Sequence, residues 1–234
     1  MDENEEVLDK ENIIKNKNKD LNNKNNQEIK NIEFEVILVG ESNVGKTSIF
    51  KKFIDDTFSD TLACTINIDY RVKSIKINEN LIVDLKIYDT AGQEKFKALT
   101  KKYYQNANGV ILVFDLTDEN SFTKLNKWVN DINDNAGNVE VILVGNKSDL
   151  ENRKVSETKA QIFAKEKKMK YIETSAKEGK NILLLFEELI IGMNKRKNDE
   201  SSSIPEMGSV NYSYLVKRTE LNKKMKCEKE SKCC

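Results

Sequence analysis

The stretch Phe34-Glu-Val-Ile-Leu-Val-Gly40-Glu-Ser-Asn-Val-Gly45-Lys46-Thr47 decides the reading of this chain. Phe34 to Val39 is a nearly continuous apolar run of strand length, as expected for a parallel strand covered on both faces. Gly40-Glu41-Ser42-Asn43-Val44-Gly45-Lys46-Thr47 then fits the pattern G-x-x-x-x-G-K-[ST]. Helical periodicity follows over about 46–55. A strand, this loop and a helix form the context in which the pattern holds phosphate. Successive backbone N–H groups point into a concavity, and the helix N-terminus adds partial positive charge. Gly40 and Gly45 let the backbone turn tightly and approach oxygen atoms. Lys46 is expected to reach the β- and γ-phosphates, and the Thr47 hydroxyl to bind Mg²⁺. Ser42, Asn43, Val44 and Ser48 belong to the same candidate nucleotide-binding set.

Outward from this stretch, apolar runs alternate with helical patterns. Val110 to Phe114 and Val139 to Val144 read as further buried strands, whereas Leu81, Val83, Leu85 and Ile87 alternate as in a strand nearer an edge. Helical patterns fall at about 120–134, 156–168 and 180–194. Strand–helix–strand repetition predicts an open, doubly wound α/β sheet. Residues 33–194 are expected to form one domain, long enough to bury a sizeable core. Residues 1–32 are mostly Asn, Lys, Glu and Asp, and are expected to be a disordered polar arm. Residues 195–234 read as a flexible tail. Between Lys217 and Cys234 that tail holds seven basic and three acidic side chains, a net +4, and it ends Cys233-Cys234.

Composition removes several function classes. The chain has 234 residues with 39 basic and 39 acidic side chains, so formal net charge is zero. A general nucleic-acid binder needs a surplus of cations to neutralise phosphates, so no nucleic-acid partner is expected. No apolar run reaches 18 residues, which argues against a membrane-spanning helix. The opening Met-Asp-Glu-Asn-Glu-Glu lacks a basic and an apolar segment, so a secreted chain is not expected. Asp2 follows Met1 where myristoylation requires Gly. There is no His, which removes Ser-His-Asp triads, Cys-His dyads and His-ligated zinc. Four Cys, three of them within the last eight residues, make no disulfide framework for a domain of this size.

Three more motifs specify the ligand. Asp89-Thr90-Ala91-Gly92-Gln93 follows the alternating strand. At this strand end, Asp89 is placed to hold Mg²⁺ through water and Gln93 to orient an attacking water. Asn146-Lys147-Ser148-Asp149 follows the third buried run, at the carboxyl edge where open α/β sheets bind ligands. The Asp149 carboxylate suits the N1–H and exocyclic amine of guanine, a donor pair that adenine lacks. Ser175-Ala176-Lys177 follows another short strand, and the Ala176 N–H is placed to donate to the guanine O6.

In this order the motifs resemble those of the Ras-like small GTPases, and within them the Rab branch. The resemblance is carried by Tyr88-Asp-Thr-Ala-Gly-Gln-Glu-Lys-Phe96, Tyr103-Tyr104, Gly145-Asn-Lys-Ser-Asp-Leu150, Glu173-Thr-Ser-Ala-Lys177 and the double-cysteine end. Gly40-Glu-Ser42, Asp55-Asp-Thr-Phe58 and Gly109-Val-Ile-Leu-Val113 are similar to a Rab subgroup linked to endoplasmic reticulum and lipid droplets. The resemblance covers about 33–194 and the terminus, without the N-terminal arm.

It implies a P-loop NTPase fold with a mostly parallel six-stranded sheet and helices on both faces. It implies a GTP/GDP-binding switch that hydrolyses GTP slowly and acts in vesicle trafficking as a monomer. Thr65 matches the switch threonine that completes Mg²⁺ coordination when γ-phosphate is present, and Phe58 the aromatic that covers the guanine ring. Backbone amides of Thr65 and Gly92 would grip the γ-phosphate. Tyr70, Tyr88 and Tyr103, with Ile66, match the surface shown to effectors. Implied partners are an exchange factor, a GTPase-activating protein, Rab escort protein and GDP-dissociation inhibitor. Cys233 and Cys234 match the doubly prenylated terminus, which implies the cytoplasmic face of an endomembrane (endoplasmic reticulum or Golgi), cycling with cytosol.

Four departures stand out. Asn43 and Asn67 stand where Gly is commoner, and Tyr70 and Tyr88 where Phe and Trp are. Two rival readings stay open at this stage. One is a GTP-loaded scaffold with little turnover, against which Gln93 speaks. The other is an ATP-dependent P-loop kinase, for which the chain lacks lid segments and arginines, having only four.

Overall fold

Alternation along the central apolar run decides which side of the sheet each residue serves. The computed structural model describes residues 29–60, 69–90 and 97–200. Its strands are β1 (Lys30–Val39), β2 (Asp69–Asn78), β3 (Leu81–Asp89), β4 (Gly109–Asp115), β5 (Glu140–Asn146) and β6 (Lys170–Glu173). Its helices are α1 (Lys46–Asp55), α2 (Lys97–Asn106), α3 (Glu119–Thr123), α4 (Leu125–Asn135), α5 (Glu157–Glu166) and α6 (Ile182–Glu200).

The strands form one six-stranded sheet in the order β2-β3-β1-β4-β5-β6. Only the β2–β3 pair is antiparallel; β1 pairs in parallel with β3 and β4, and β5 with β4 and β6. Phe34, Val36 and Leu38 of β1 face one side, where Ile49, Phe50 and Phe53 of α1 meet Leu185, Phe186 and Leu189 of α6. The rings of Phe53 and Phe186 stack with centroids 3.6 Å apart. Ile37 and Val39 face the other side, against Val129 and Ile132 of α4 and Ala160 and Ala164 of α5. The sheet is thus doubly wound, with helices on both faces, as the alternation of runs predicts.

Local chemistry sets the helix starts. The Asp118 side chain accepts from the Asn120 N–H to open α3, and the Ser156 hydroxyl accepts from the Lys159 N–H to open α5. The helix expected over 120–134 is in fact two. Lys124 ends α3, with its N–H returned to Asn120 O, and begins α4. Strand β2 and helix α2 were not anticipated. The chain enters β1 at Lys30, ahead of 33, and α6 continues past 194 to Glu200. The expected polar arm before Ile29 and the basic tail after Glu200 lie outside the described residues. Among the described residues no helix is long and apolar enough to cross a membrane.

This topology brings the carboxyl ends of β1, β3, β4, β5 and β6 to one edge. From β1 the chain builds β2 and β3 on one side and β4 to β6 on the other. The loop after β1 therefore lies at the switch point, where open α/β sheets hold ligands.

Candidate nucleotide-binding site

The loop between β1 and α1 needs its glycines. Gly40 has φ 139°, and a Cβ there would lie 2.1 Å from the Val113 carbonyl oxygen. Gly45 has φ 95°, and its Cβ would lie 2.2 Å from Asn146 Nδ2. Asn43 adopts φ 64°, a left-handed conformation that Asn tolerates better than most residues. That explains how it stands where Gly is commoner. Gly45 opens α1 without any side-chain cap, which suits a helix start that receives an anion.

Lys46 is 5% exposed, yet charged donors rarely sit inside unpaired. Its Nζ donates to Gly40 O at 2.9 Å and to Glu41 O at 2.7 Å. Burial lowers its pKa to about 8, against the opposing pull of the Asp89 and Glu41 carboxylates. Asp89, at the end of β3, is 1% exposed. Its Oδ2 accepts from the Thr47 hydroxyl at 2.7 Å, while its Oδ1 is buried with no hydrogen-bond partner. Burial raises its pKa to about 6, against the Thr47 bond and the Lys46 charge. A buried carboxylate oxygen lacking a donor, beside a hydroxyl, is the hard oxygen chemistry that fits Mg²⁺.

The loops beyond β5 and β6 are tied to the phosphate loop through one side chain. Asn146 Nδ2 donates to Val44 O at 2.9 Å. Its Oδ1 accepts from the Thr174 hydroxyl at 3.1 Å and from the Ala176 N–H at 3.4 Å. The Ser175 hydroxyl donates to Asp149 Oδ1 at 2.6 Å, which orients that carboxylate. Lys147, at φ 68°, pairs with Asp115 Oδ2 at 2.6 Å. One edge of the sheet thus joins the glycine loop, a buried carboxylate with an unpartnered oxygen and a second set of oriented groups at Asn146, Asp149 and Ser175.

The Ras family sequence profile matches residues 35–195. The chain belongs to the Ras family, on its Rab branch. Its relatives include the Ras-related protein Rab-18-B of Danio rerio, 45% identical over 157 residues, which span 66% of this chain and 76% of that protein. The Ras-related protein RabC of Dictyostelium discoideum is 44% identical over 162 residues, 68% of this chain and 83% of its own length. The Ras-related protein SEC4 of Saccharomyces cerevisiae is 41% identical over 152 residues, 64% and 70% of the two chains. As a Rab-branch member the chain is a GTPase, a GTP hydrolase, and the kinase reading falls away.

In this Rab GTPase the structure brings together Gly40, Val44, Gly45, Lys46, Thr47, Asp89, Asn146, Asp149, Ser175 and Ala176. Lys177 is exposed just beyond them, and Ser42 and Ser48 are half-buried in the loop and first helical turn. Phe58 lies exposed in the segment after α1. Tyr88 is buried between the exposed Tyr70, with ring centroids 5.8 Å apart, and the half-buried Tyr103, at 4.8 Å. Thr65, Ile66, Gly92, Gln93, Cys233 and Cys234 lie outside the described residues.

Two side chains were missed from sequence. Asp115 ends the buried run of β4 at the ligand edge, and a charged residue in that place was a readable signal. Glu41 carried no signal, because its partners lie on a distant helix.

Proposed function

We propose that this GTPase is a membrane-anchored switch for vesicle trafficking. In this reading it binds GTP or GDP with Mg²⁺, hydrolyses GTP slowly and reports which nucleotide is present. The observation that carries the reading is the buried, donor-free Oδ1 of Asp89 beside Thr47 and Lys46, in a loop that Asn146 ties to Asp149. It supports a site built for a cation, phosphates and a base at once.

Each residue then has a task. Backbone N–H groups of Gly40 to Ser48 cradle the phosphates. Lys46 Nζ, held by two carbonyls of the same loop, is aimed at the phosphate oxygens. Thr47 and, through water, Asp89 would hold Mg²⁺, joined by Thr65 in the GTP state. When bound, Mg²⁺ neutralises phosphate charge during transfer. Asp149 accepts from the guanine N1–H and exocyclic amine, with Ala176 and Lys177 beside the base and Phe58 over its face. Gln93 orients the attacking water; positioning and charge neutralisation suffice, so no titrating base is required. Thr65 and Gly92 amides let go when the γ-phosphate leaves, and Ile66 with the Tyr70–Tyr88–Tyr103 cluster presents that change to effectors.

A GTPase-activating partner speeds hydrolysis by roughly 10³–10⁵, as an arginine finger does in this class. An exchange factor, Rab escort protein and GDP-dissociation inhibitor complete the cycle. Lipids on Cys233 and Cys234 anchor the tail to an endomembrane, of the endoplasmic reticulum or Golgi. Two chains are needed, because one gives only marginal, reversible binding. Basic tail residues add on the order of 1 kcal/mol each near an anionic surface.

Single-turnover hydrolysis of pre-loaded GTP tests the reading. Wild type is expected to release phosphate slowly, Gln93→Leu more slowly still with unchanged GTP affinity. Asp149→Asn is expected to shift preference from guanine to xanthine nucleotides. No turnover in wild type would favour a scaffold, and unchanged guanine preference in Asp149→Asn would remove that residue from base recognition.

A further inference from the structure

The phosphate-loop pattern places no demand on residue 41, yet the Glu41 side chain is held by two donors from outside the loop. Its side chain is 15% exposed. Both carboxylate oxygens are taken, one by α4 and one by the residue that caps its start. Lys124 Nζ donates to Oε2 at 2.8 Å and Trp128 Nε1 to Oε1 at 3.1 Å. Lys124 sits at the α3–α4 junction and Trp128 follows one turn later, so both donors share a face of α4. Burial pushes the Glu41 carboxyl up, but these two hydrogen bonds and the charges of Lys124 and Lys127 bring it below its ordinary value. It is therefore ionised at neutral pH. The Glu41 carbonyl, in turn, accepts from Lys46 Nζ. The residue is thus fixed at its side chain by α4 and at its backbone by the lysine that faces the phosphates.

We propose that Glu41, Lys124 and Trp128 form a clamp through which helix α4 positions the phosphate loop and sets the rate of nucleotide release. All three are positioning residues that act through Lys46 and the loop backbone. The proposal rests on residues 40–47 being the nucleotide's phosphate loop. It makes α4, far from the switch segments in sequence, a handle on nucleotide retention: whatever draws Lys124 or Trp128 away from Glu41 loosens the loop. Trp128 is the only tryptophan of the chain, so its emission reads the clamp directly.

The test uses the full chain loaded with a fluorescent GDP analogue, chased with excess GDP in Mg²⁺. Glu41→Gln and Lys124→Met are each expected to release it roughly five- to thirty-fold faster, the loss of about one charge-assisted hydrogen bond. The double variant is expected to be no faster than the faster single, because the pair acts as one unit. With unlabelled GDP, stripping the nucleotide is expected to shift Trp128 emission in wild type and not in Glu41→Gln. Thermal unfolding is followed alongside; the Lys124 side chain is 55% exposed, so Lys124→Met keeps the fold and decides the matter alone if Glu41→Gln does not. Release unchanged in Lys124→Met overturns the clamp, and so do additive effects in the double variant. Wild type that loads no nucleotide overturns the loop assignment instead.

Discussion

Asn146→Ala asks whether the phosphate side and the base side of the site are one mechanical unit. The amide is 1% exposed and makes three contacts: to Val44 O at 2.9 Å, from the Thr174 hydroxyl at 3.1 Å and from the Ala176 N–H at 3.4 Å. Alanine removes all three and strands the Val44 carbonyl and the Thr174 hydroxyl, whose residues are 1% and 0% exposed. A net hydrogen bond is worth about 1 kcal/mol, and a stranded buried polar group costs about 1–3 kcal/mol. The 3.4 Å contact is long and adds little. Water entering the vacated space recovers part of the loss, so the expected destabilisation is about 2–4 kcal/mol. At about 2–4 °C per kcal/mol for a domain of this size, the melting midpoint falls by about 4–16 °C. GDP must be held at one saturating concentration throughout, since bound ligand adds stability of its own. GDP release is expected to quicken in parallel, because the Val44 carbonyl anchors the phosphate loop. Asn146→Asp separates geometry from hydrogen bonding. It keeps the shape and the acceptor but turns an oxygen toward the Val44 carbonyl, so it is expected to be at least as damaging as alanine. An Asn146→Ala protein that melts with wild type, or a harmless Asn146→Asp, would refute the latch.

Two other substitutions probe the loop and the cation site. Gly40→Ala places a Cβ 2.1 Å from a backbone carbonyl at φ 139°, where no flexible side chain can yield; a loss of roughly 4 kcal/mol or more is expected in denaturant unfolding, in the class of core overpacking with backbone strain. Asp89→Asn keeps an acceptor for Thr47 but removes the charge. Chelating Mg²⁺ is expected to speed GDP release from wild type and to leave the variant's release unchanged; equal acceleration in both would take Asp89 out of the cation site.

Which parts of the fold were legible follows from burial. Strands β1, β4 and β5 are covered on both faces, so their sequences are continuous apolar runs that single-chain reading finds. Strand β2 is an edge. Only Ile75 and Ile77 are buried in it, while Tyr70 and Val72 are exposed, and the period-2 signal fades. In the described part of α2, only Tyr104 is fully buried and Tyr103 half-buried, adjacent residues among Lys, Gln and Asn, so no stripe at helical spacing announces the element. The break at Lys124 was invisible because helical sequence continues through it; a backbone N–H turning to Asn120 O makes it. At the site, Gly40 and Gly45 were readable because backbone approach admits no other residue there. Glu41 was not, since its indole partner stands 87 residues away and only folding joins them.

Under the proposed function, the charges of Lys46 and Asp89, which act on each other in one buried site, account for phosphate and cation belonging together. Folding buries an ammonium and a carboxylate that feel each other's charge, and burial works against both: it brings Lys46 down to about 8 and lifts Asp89 to about 6. Each is relieved only partly by the other and by neutral partners, two carbonyls for Lys46 and one hydroxyl for Asp89. An anion at Lys46 alone would stabilise the ammonium and worsen the position of Asp89. A cation at Asp89 alone would do the reverse. Brought together, a phosphate and a divalent cation satisfy both groups at once and neutralise each other. In the proposed reading the two ligands are therefore expected to raise one another's affinity, and by linkage to do so equally. Retention of nucleotide is then a property of the filled pair, which lets a single removed phosphoryl group, or a loosened loop, change the state of the whole edge.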